Sequence, residues 1–446
     1  MVDGLRWRAL AYEGRAILKL GGPLLVANLA LAGMPLADTL MAGRLGAQSL
    51  AGIAVGSSLY ALALYLGLGV MTALSPLTAH AYGAGDREKI GRYARQIAWV
   101  AGFLALVLFL LLLPAREILL CLGTDATVIS TATGYVHSVS FGLPAILMAH
   151  ALRCTSEGVG RTRPVMVVTL AGLGMNVLLN WVFMFGHLGA PAMGAVGTGV
   201  ATALSQWVMA GLYLSWFTCS RGYRSYGIAV MPDRPDGAVL KEILMLGLPM
   251  GGTLLAETGL FSAAGLMVGT LGAETVAAHQ IALNYASFTF MAPVSFHSAT
   301  TIQVGHALGG RDRRAGRAAG FAGISLCVAL MASSAIILFL FCGDIARLYS
   351  ADSKVQSIAA HLLLLAGLFQ ISDGLQVGAM GALRGFKDAR LPLAITLGAY
   401  WVVGFPVAYY AGLVSQQGPA GVWLGLIAGL TTAAILLLYR YEKVSR

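Results

Sequence analysis

Charged side chains are scarce in this chain: they make up 11% of its 446 residues, against 58% hydrophobic residues. A soluble domain of this size carries about 25% charged residues, so the scarcity excludes a surface that faces water on all sides. Cysteine is also rare. The five cysteines form no CxxC pair and no cluster with histidine, which argues against a disulfide framework and against a zinc site. We therefore expect much of the surface to face lipid.

A signal-peptide cleavage pattern is also lacking at the start of the sequence. The basic residues Arg6, Arg8 and Arg15 precede an apolar stretch of full membrane length, without a small-residue cleavage site. We expect this first helix to remain in the mature protein.

Apolar segments long enough to cross a bilayer as helices, about 20 residues each, recur along the chain. We predict an all-α integral membrane protein with twelve transmembrane helices near residues 16–40, 48–78, 92–114, 128–152, 164–186, 195–218, 240–268, 276–304, 317–342, 356–383, 391–413 and 418–438. Of the 29 Lys and Arg residues, 25 lie at the termini and in alternate loops with the adjoining helix ends, and four lie in the other loops. The positive-inside rule then predicts cytoplasmic termini, and it accounts for the net charge of +10 without nucleic-acid binding.

The two halves of the sequence repeat each other at one offset. The block at 17–23 recurs at 243–249, and blocks beginning at Leu40 and His80 recur at the same spacing of 226 residues. Six spans separate the copies, so both insert in the same orientation, related by a pseudo-twofold axis along the membrane normal. We predict an N-terminal six-helix lobe at 1–220, a cytoplasmic linker at 221–240 and a C-terminal six-helix lobe at 241–446. This organisation is typical of transporters.

Three acids lie well inside predicted spans: Asp38, Glu257 and Asp373. A charge at the bilayer centre costs about 2.5–3.5 kcal/mol on insertion scales, so such residues are expected to face a cavity or the bundle interior and to have a function. The alternative is a protonated carboxyl that hydrogen-bonds a neighbouring helix. At the 226-residue offset Asp38 corresponds to Ala264 and Glu257 to Leu31, so the halves differ in their chemistry. Such acids are able to exchange a proton or, with other oxygens, to hold Na⁺.

Polar and adaptable residues accompany these acids in sequence. Asn176 and Asn180 share one helix face, and Thr198 begins the next span. The second half offers Gln280, Asn284, Tyr285 and Gln370, the last on one face with Asp373. Met34, Phe288, Phe290 and Met291 are candidates for the apolar wall of a substrate cleft, with Gln370 as a polar contact in it, and Pro23 is a candidate for helix bending. Interhelical hydrogen bonding and plain packing are the structural alternatives for these residues.

Several short motifs follow one another along the chain: Gly22-Pro23, Asp38-Thr39-Leu40-Met41-Ala42-Gly43, Asn176-Val177-Leu178-Leu179-Asn180, Leu254-Leu255-Ala256-Glu257, Gly305-His306-Ala307-Leu308-Gly309 and Ala382-Leu383-Arg384-Gly385. In their order and number, these motifs resemble the multidrug and toxic compound extrusion (MATE) family, in its NorM-like branch. The resemblance covers about residues 15–440. It implies an antiporter that exports organic cations such as dyes and fluoroquinolones against inward H⁺ or Na⁺. It also implies alternating access between two six-helix lobes, which face each other across a V-shaped cleft.

The resemblance also implies roles for particular residues. Asp38 matches the acid of a first-lobe cation site, with Asn176, Asn180 and Thr198, whereas Glu257 and Asp373 match the acids of a second-lobe site. Some members have Asp where this chain has Asn180, so the first-lobe site here is less anionic. At Phe290, related proteins can carry a Tyr that contacts the ligand. The family further implies no cofactor, cationic amphipathic drugs as partners, a functional monomer and the bacterial inner membrane.

Other functional classes fit parts of the sequence less well. Gly83, Asp86 and Arg87 loosely resemble a loop of major facilitator transporters, but the spacing differs. A flippase for lipids or lipid-linked intermediates, of related fold, would have extra spans and cationic cleft residues. A membrane enzyme would need His, Asp and Glu clusters at the membrane edge, and the eight histidines are isolated. We expect a transporter, not an enzyme.

Overall fold

The computed structural model describes residues 2–228 and 233–446, and within them the chain forms twelve long helical segments. They are α1 (Val2–Ala42), α2 (Ala47–Gly83), α3 (Arg87–Leu112), α4 (Ala126–Ser140 with Leu143–Gly158), α5 (Thr162–Phe185), α6 (Gly194–Cys219), α7 (Gly237–Gly269), α8 (Ala273–Gly309), α9 (Arg313–Tyr349), α10 (Ser353–Gly385), α11 (Arg390–Val414) and α12 (Pro419–Ser445). The prediction of an all-α protein with twelve long helices is confirmed.

Not all twelve helices are equally apolar. In the described part of the chain, nine are long and apolar enough to cross a membrane, or ten if the bent pair of α4 is one span. The other two, α6 and α8, have 26 and 37 residues, which is sufficient length for a span. Both carry polar residues within their apolar sequence, among them Gln206 on α6 and Asn284 on α8.

Helix α4 is bent, a feature that its apolar pattern does not reveal. Its two parts meet at an angle of 51°. At the break, a Cβ atom on Gly142 would lie 2.9 Å from the Cα atom of Ala203, so α4 and α6 approach closely there. Pro144 stands in the first turn of the second part, where its missing N–H is not needed.

The sequence repeat is also a repeat of local structure. Helices α2 and α8 begin and end at positions related by the 226-residue offset, at Ala47–Gly83 and Ala273–Gly309. The following helices begin with the same cap. The Asp86 carboxylate accepts a hydrogen bond from the Lys89 backbone N–H at 2.9 Å, and Asp312 accepts one from Ala315 at 2.9 Å.

The chain packs as two compact units whose limits differ from the predicted lobes. One unit is Val26–Gly251, and the other combines Met1–Leu25 with Gly252–Arg446. The boundaries fall within α1 and α7, at repeat-equivalent positions two residues beyond Pro23 and Pro249. The predicted lobes at 1–220 and 241–446 remain a prediction about membrane insertion.

The discontinuous unit joins the two ends of the sequence. The Gln303 side-chain amide of α8 donates a hydrogen bond to the Glu13 carboxylate of α1 at 2.7 Å. Gly21 of α1 lies directly beneath the ring of Phe296, because a Cβ atom there would overlap the ring. Each contact joins the start of α1 to α8.

In the contiguous unit, the first part of α7 crosses α2 at glycines. A Cβ atom on Gly69 would overlap the backbone of Gly251, and one on Gly247 would lie 2.7 Å from the Val70 carbonyl oxygen. Two helices approach this closely only where small residues face each other.

We expect Gly69→Ala to destabilise this unit by about 1–3 kcal/mol, because the added methyl group meets backbone that is unable to rotate away. The matched control is Gly102→Ala on α3, where a Cβ atom meets nothing within 4 Å. Thermal unfolding of the detergent-purified variants, followed by size-exclusion chromatography, measures the difference. Equal melting temperatures for the two variants would show that the crossing tolerates a side chain.

The segment that leads into α7 is held on α3 by a group of contacts that we call the linker clamp (Arg95, Gln96 and Trp99 with Gly227 and 233–236). Arg95 donates to the Asp233 carboxylate at 2.8 Å and to the Gly227 carbonyl at 2.6 Å. Gln96 donates to the Arg234 carbonyl and accepts from the Asp236 backbone N–H, both at 2.9 Å. The clamp therefore holds both flanks of residues 229–232, a part of the predicted linker that lies outside the described residues.

Further contacts extend the clamp in both directions. Trp99 donates to the Asp233 carbonyl at 3.0 Å, and the Tyr93 hydroxyl donates to the Glu242 carboxylate at 2.7 Å. Asp236 forms an ion pair with Arg92, and the backbone N–H of Ala238 holds the pKa of this carboxyl below its usual value.

At the repeat-equivalent positions of α9, the polar residues of the clamp are replaced. Phe321, Ala322 and Ser325 stand where α3 has Arg95, Gln96 and Trp99. The clamp is thus specific to the first half of the chain.

Candidate functional site

The first candidate site is a buried polar cluster in the contiguous unit, built by α1, α5 and α6. Asp38 is 7% exposed, and Asn180 donates from Nδ2 to its Oδ1 atom at 2.5 Å. The same Nδ2 lies 3.4 Å from Oδ1 of Asn176, one helical turn earlier on α5. The Thr202 hydroxyl of α6 donates to Asp38 Oδ2 at 3.3 Å. The structure therefore brings together three of the four residues predicted for this site and adds the Thr202 hydroxyl as a second donor to Asp38.

Thr198, the remaining predicted residue, is fully buried on α6, one turn before Thr202. Its hydroxyl has no hydrogen-bond partner among the described residues, and neither do Asn180 Oδ1 and Asn176 Nδ2. A buried polar atom without a partner costs about 1–3 kcal/mol, and such atoms are rare in native proteins. Two of these three atoms are oxygens, the ligand type that Na⁺ prefers.

Thr202 is the residue of this cluster that the sequence analysis missed. Its four-residue spacing from Thr198 was a usable signal, because positions i and i+4 share a helix face. Met34 lies in the same unit but is 5% exposed, and its terminal methyl group packs near Gly172 of α5. Met34 therefore packs within this unit, and a contact with ligand stays a prediction.

The second candidate site lies in the discontinuous unit and contains the other two acids. Asp373 of α10 is 3% exposed, whereas Glu257 of α7 is partly exposed. The two carboxyl groups interact electrostatically, and both also interact with the hydroxyl of Tyr400 on α11. We call Glu257 and Asp373 the second acid pair. These are the two acids that the family resemblance assigns to a second-lobe site, and that role stays a prediction.

Residues around the second acid pair were missed by the sequence analysis. Gln376, one turn beyond Asp373, donates to the Tyr400 hydroxyl. Tyr400 is fully buried in a π-helical stretch, Gly398–Gly404, and such stretches occur often at functional sites. Gln370 was predicted to face a ligand, but it is fully buried and donates to the Thr289 hydroxyl at 2.7 Å.

Other predicted residues of this half lie on α8. Gln280, Asn284 and Phe288 are exposed and follow one another at four-residue steps, so they form one stripe of the helix. Tyr285 is partly buried, with its hydroxyl 3.4 Å from that of Ser334, and Phe290 and Met291 are also partly buried. Within the described residues, no hydrogen bond joins this stripe to the acids.

Comparison with known proteins identifies the family to which this chain belongs. The MatE family model matches residues 23–182 and 249–410, once in each half of the chain. The chain belongs to the MatE family. Its two matches begin at positions related by the 226-residue offset, which agrees with the internal repeat.

Individual relatives of the MatE family resemble nearly the whole chain. A protein of Mannheimia succiniciproducens, named Probable multidrug resistance protein NorM, is 37% identical over 445 residues, which cover 99% of this chain and 96% of that protein. The predicted NorM-like resemblance is thereby confirmed.

Solved structures of the family share the fold. A eukaryotic MATE transporter, AtDTX14, matches with a TM-score of 0.89 at 20% identity, covering 98% of both chains. An outward-facing MATE family transporter of the MOP superfamily matches with a TM-score of 0.88 at 22% identity, covering 97% of this chain and 96% of that one. These structures are of transporters, and the chain is a multi-pass membrane protein of the MatE family, not an enzyme or a major facilitator transporter.

Proposed function

We propose that the chain is a cation-coupled efflux antiporter, which exports organic cations such as dyes and fluoroquinolones in exchange for inward H⁺ or Na⁺. The observation that carries the proposal is the Asp38 cluster, a carboxyl group buried inside a membrane-spanning unit and held by amide and hydroxyl donors. An ionisable group inside a membrane-spanning segment is energetically costly, so a function is the default explanation for its presence. The name of the relative from Mannheimia supports multidrug export.

The chemistry of the first cluster suits a monovalent cation. A proton would bind the Asp38 carboxyl itself, and a sodium ion would also use the Asn180 Oδ1 and Thr198 hydroxyl oxygens, which have no partner among the described residues. Either ion neutralises the carboxylate. A bound organic cation that is attracted by this charge is then released, which gives the difference in affinity that coupled transport by alternating access requires.

The second acid pair supplies another cation site in the proposal, and α8 supplies contacts for the drug. Exposed polar side chains on a membrane helix face water more readily than lipid, so the stripe of Gln280 and Asn284 fits a water-filled cavity. Phe288 continues this stripe and offers an aromatic surface to a flat cationic drug. Partly buried Phe290 and Met291 would add apolar contacts beside it.

We place the protein in the bacterial inner membrane as a functional monomer with cytoplasmic termini. The alternation of 25 basic residues against four supports this orientation.

The experiment that tests the function is ethidium transport in proteoliposomes, with a pH gradient and a Na⁺ gradient imposed separately. We expect one gradient to drive ethidium against its own concentration gradient, and the dissipation of that gradient to stop transport. Ethidium movement at the same rate with and without either gradient would contradict the proposal. Transport of a fluorescent lipid instead of ethidium would favour the alternative, a flippase of related fold.

A further inference from the structure

A short connection joins the two helices that hold Asp38 in the first cluster. Residues 186–193 lead from the end of α5 to the start of α6, and we call them the α5–α6 turn. Asn180, which donates to Asp38, lies in the last two turns of α5. Thr202, the other donor to Asp38, lies in the third turn of α6. The conformation of the α5–α6 turn therefore affects how far apart the two donors stand.

Backbone hydrogen bonds hold both ends of the α5–α6 turn on the end of α5. The N–H groups of Gly186 and His187 both donate to the Val182 carbonyl at 3.0 Å. The N–H group of Met193 donates to the Phe183 carbonyl at 2.9 Å. Carbonyl groups at the end of a helix lack partners within the helix, and here the turn supplies them.

The start of α6 lies against the same part of α5. A Cβ atom on Gly197 would be 2.5 Å from the Phe183 carbonyl oxygen, so a side chain at this position would push the two helices apart. Thr198, the fully buried residue of the first cluster, follows Gly197 directly. A displacement of the end of α5 is therefore transmitted to the part of α6 that lines the cluster.

The ring of His187 closes the α5–α6 turn on α5. It stacks on the indole of Trp181, with ring centroids 4.0 Å apart and an angle of 13° between the ring planes. Phe185 contacts it edge-on at a centroid distance of 6.4 Å. Its Nδ1 atom lies 2.9 Å from the Trp181 carbonyl oxygen, and because a carbonyl only accepts, Nδ1 donates. Trp181 directly follows Asn180, so His187 contacts the turn of α5 that presents Asn180 to the cluster.

The backbone beside the histidine is strained. Leu188 has a φ angle of 55°, in the left-handed region that bulky residues seldom adopt. Such strain persists only where the surrounding structure imposes it, and it is concentrated at functional sites. The Leu188 side chain is 80% exposed, so its own packing does not impose the strain. The hydrogen bonds at the ends of the turn and the stack of His187 hold this conformation instead.

The connection between the fifth and sixth helices differs in the second half of the chain. Residues 415–418 join α11 to α12, and their sequence, Ser-Gln-Gln-Gly, contains neither an aromatic residue nor a histidine. The acids of that half lie on α7 and α10, whereas the donors to Asp38 lie on the fifth and sixth helices of the first half. The stack thus occurs in the half where the spacing of these two helices concerns an acid.

We propose that His187 is a positioning residue for the first cluster. Its stack on Trp181 fixes the α5–α6 turn, and the turn fixes the distance between the two side chains that donate to Asp38. The inference rests on the proposed coupling function of Asp38. With the stack in place, an arriving H⁺ or Na⁺ finds the polar groups already in position, so less of its binding energy is spent on ordering the two helices.

The test is coupled ethidium transport by the full-length protein in proteoliposomes, driven by whichever of H⁺ or Na⁺ supports the wild type and corrected for the amount of folded protein. His187→Ala should raise the cation concentration for half-maximal transport by about three- to tenfold, because an aromatic pair contributes at most about a factor of ten. His187→Phe, which keeps a ring on Trp181, should stay within about twofold of the wild type.

Two further measurements separate the stack from general stability. His137→Ala is the matched control, because His137 also donates to a carbonyl at a helix end, that of Leu113 after α3, at 3.0 Å. It should leave the half-maximal concentration unchanged. Trp181→Leu should raise this concentration as His187→Ala does. The double variant should be no worse than either single variant, since both substitutions remove the same contact.

The outcomes distinguish this inference from the function on which it rests. If Asp38→Asn keeps full coupled transport, the first cluster is not a coupling site and both proposals fail. If Asp38→Asn loses coupling while His187→Ala keeps the wild-type half-maximal concentration, only the positioning role of His187 is wrong. A lower melting temperature of His187→Ala with an unchanged half-maximal concentration also overturns that role, because the stack then serves stability alone.

Discussion

Cells that produce the Asp38→Asn protein are expected to lose drug resistance, with ethidium efflux reduced by about tenfold or more. The substitution keeps the size of the side chain, and its Oδ1 atom is still able to accept the hydrogen bond from Asn180. What disappears is the charge that attracts H⁺ or Na⁺, and a charge in a low-dielectric site contributes more than the 1.4 kcal/mol that corresponds to a factor of ten. Efflux from preloaded cells, corrected for the amount of protein in the membrane, is the measurement.

The matched control for this variant is Asp344→Asn. Asp344 is an exposed acid whose ion pair with Arg347 spans 3.5 Å at the surface, and such pairs contribute little. We expect its efflux to equal that of the wild type. Full resistance in cells with Asp38→Asn at wild-type protein levels would remove Asp38 from the coupling mechanism.

A loss of stability, not of transport chemistry, is expected from Glu157→Gln. Arg153 and Glu157 form an almost fully buried ion pair on α4, and Arg153 also donates to the Asn28 side chain of α1 at 2.6 Å. Removal of one member of a buried ion pair leaves an uncompensated charge, which costs about 3–5 kcal/mol. The melting temperature of the detergent-purified variant should fall well below that of the wild type.

A double substitution tests whether charge is the cause. Arg153→Met together with Glu157→Leu removes both charges and keeps apolar volume, a replacement that is often neutral or stabilising. We expect most of the lost stability to return. If Glu157→Gln and the wild type have the same melting temperature, other groups compensate the buried charge of Arg153, and the ion pair contributes little to stability.

Two arginines also show where the sequence argument was incomplete. Both Arg153 and Arg384 were counted among the basic residues of cytoplasmic loops and helix ends, which gave the topology. The structure places Arg153 inside α4, five residues before the helix ends at Gly158, and it places Arg384 in the last turn of α10, which ends at Gly385. A count of charges indicates the side of the membrane, but it contains no information about which side chain a guanidinium group contacts.

The acids were easier to predict than their partners. Asp38, Glu257 and Asp373 stand out because a charge is rare in an apolar segment, and a spacing of four identified Asn176 with Asn180. Thr202 and Tyr400 are common residues in membrane helices, and only the packing of α6 and α11 shows that they reach the acids. The 51° bend of α4 was equally hidden, since both of its parts are apolar.

The division of the chain into one continuous and one discontinuous unit has a consequence for the order of events during synthesis. Domains generally fold from the N-terminus as the chain emerges from the ribosome. The unit Val26–Gly251 has all its residues once Gly251 is made, so the linker clamp is able to close before α8 exists. The start of α1 belongs to the other unit, most of which is synthesised later. Its Glu13 contacts Gln303, 290 residues later, so this end of α1 finds its partner only after α8 has been synthesised.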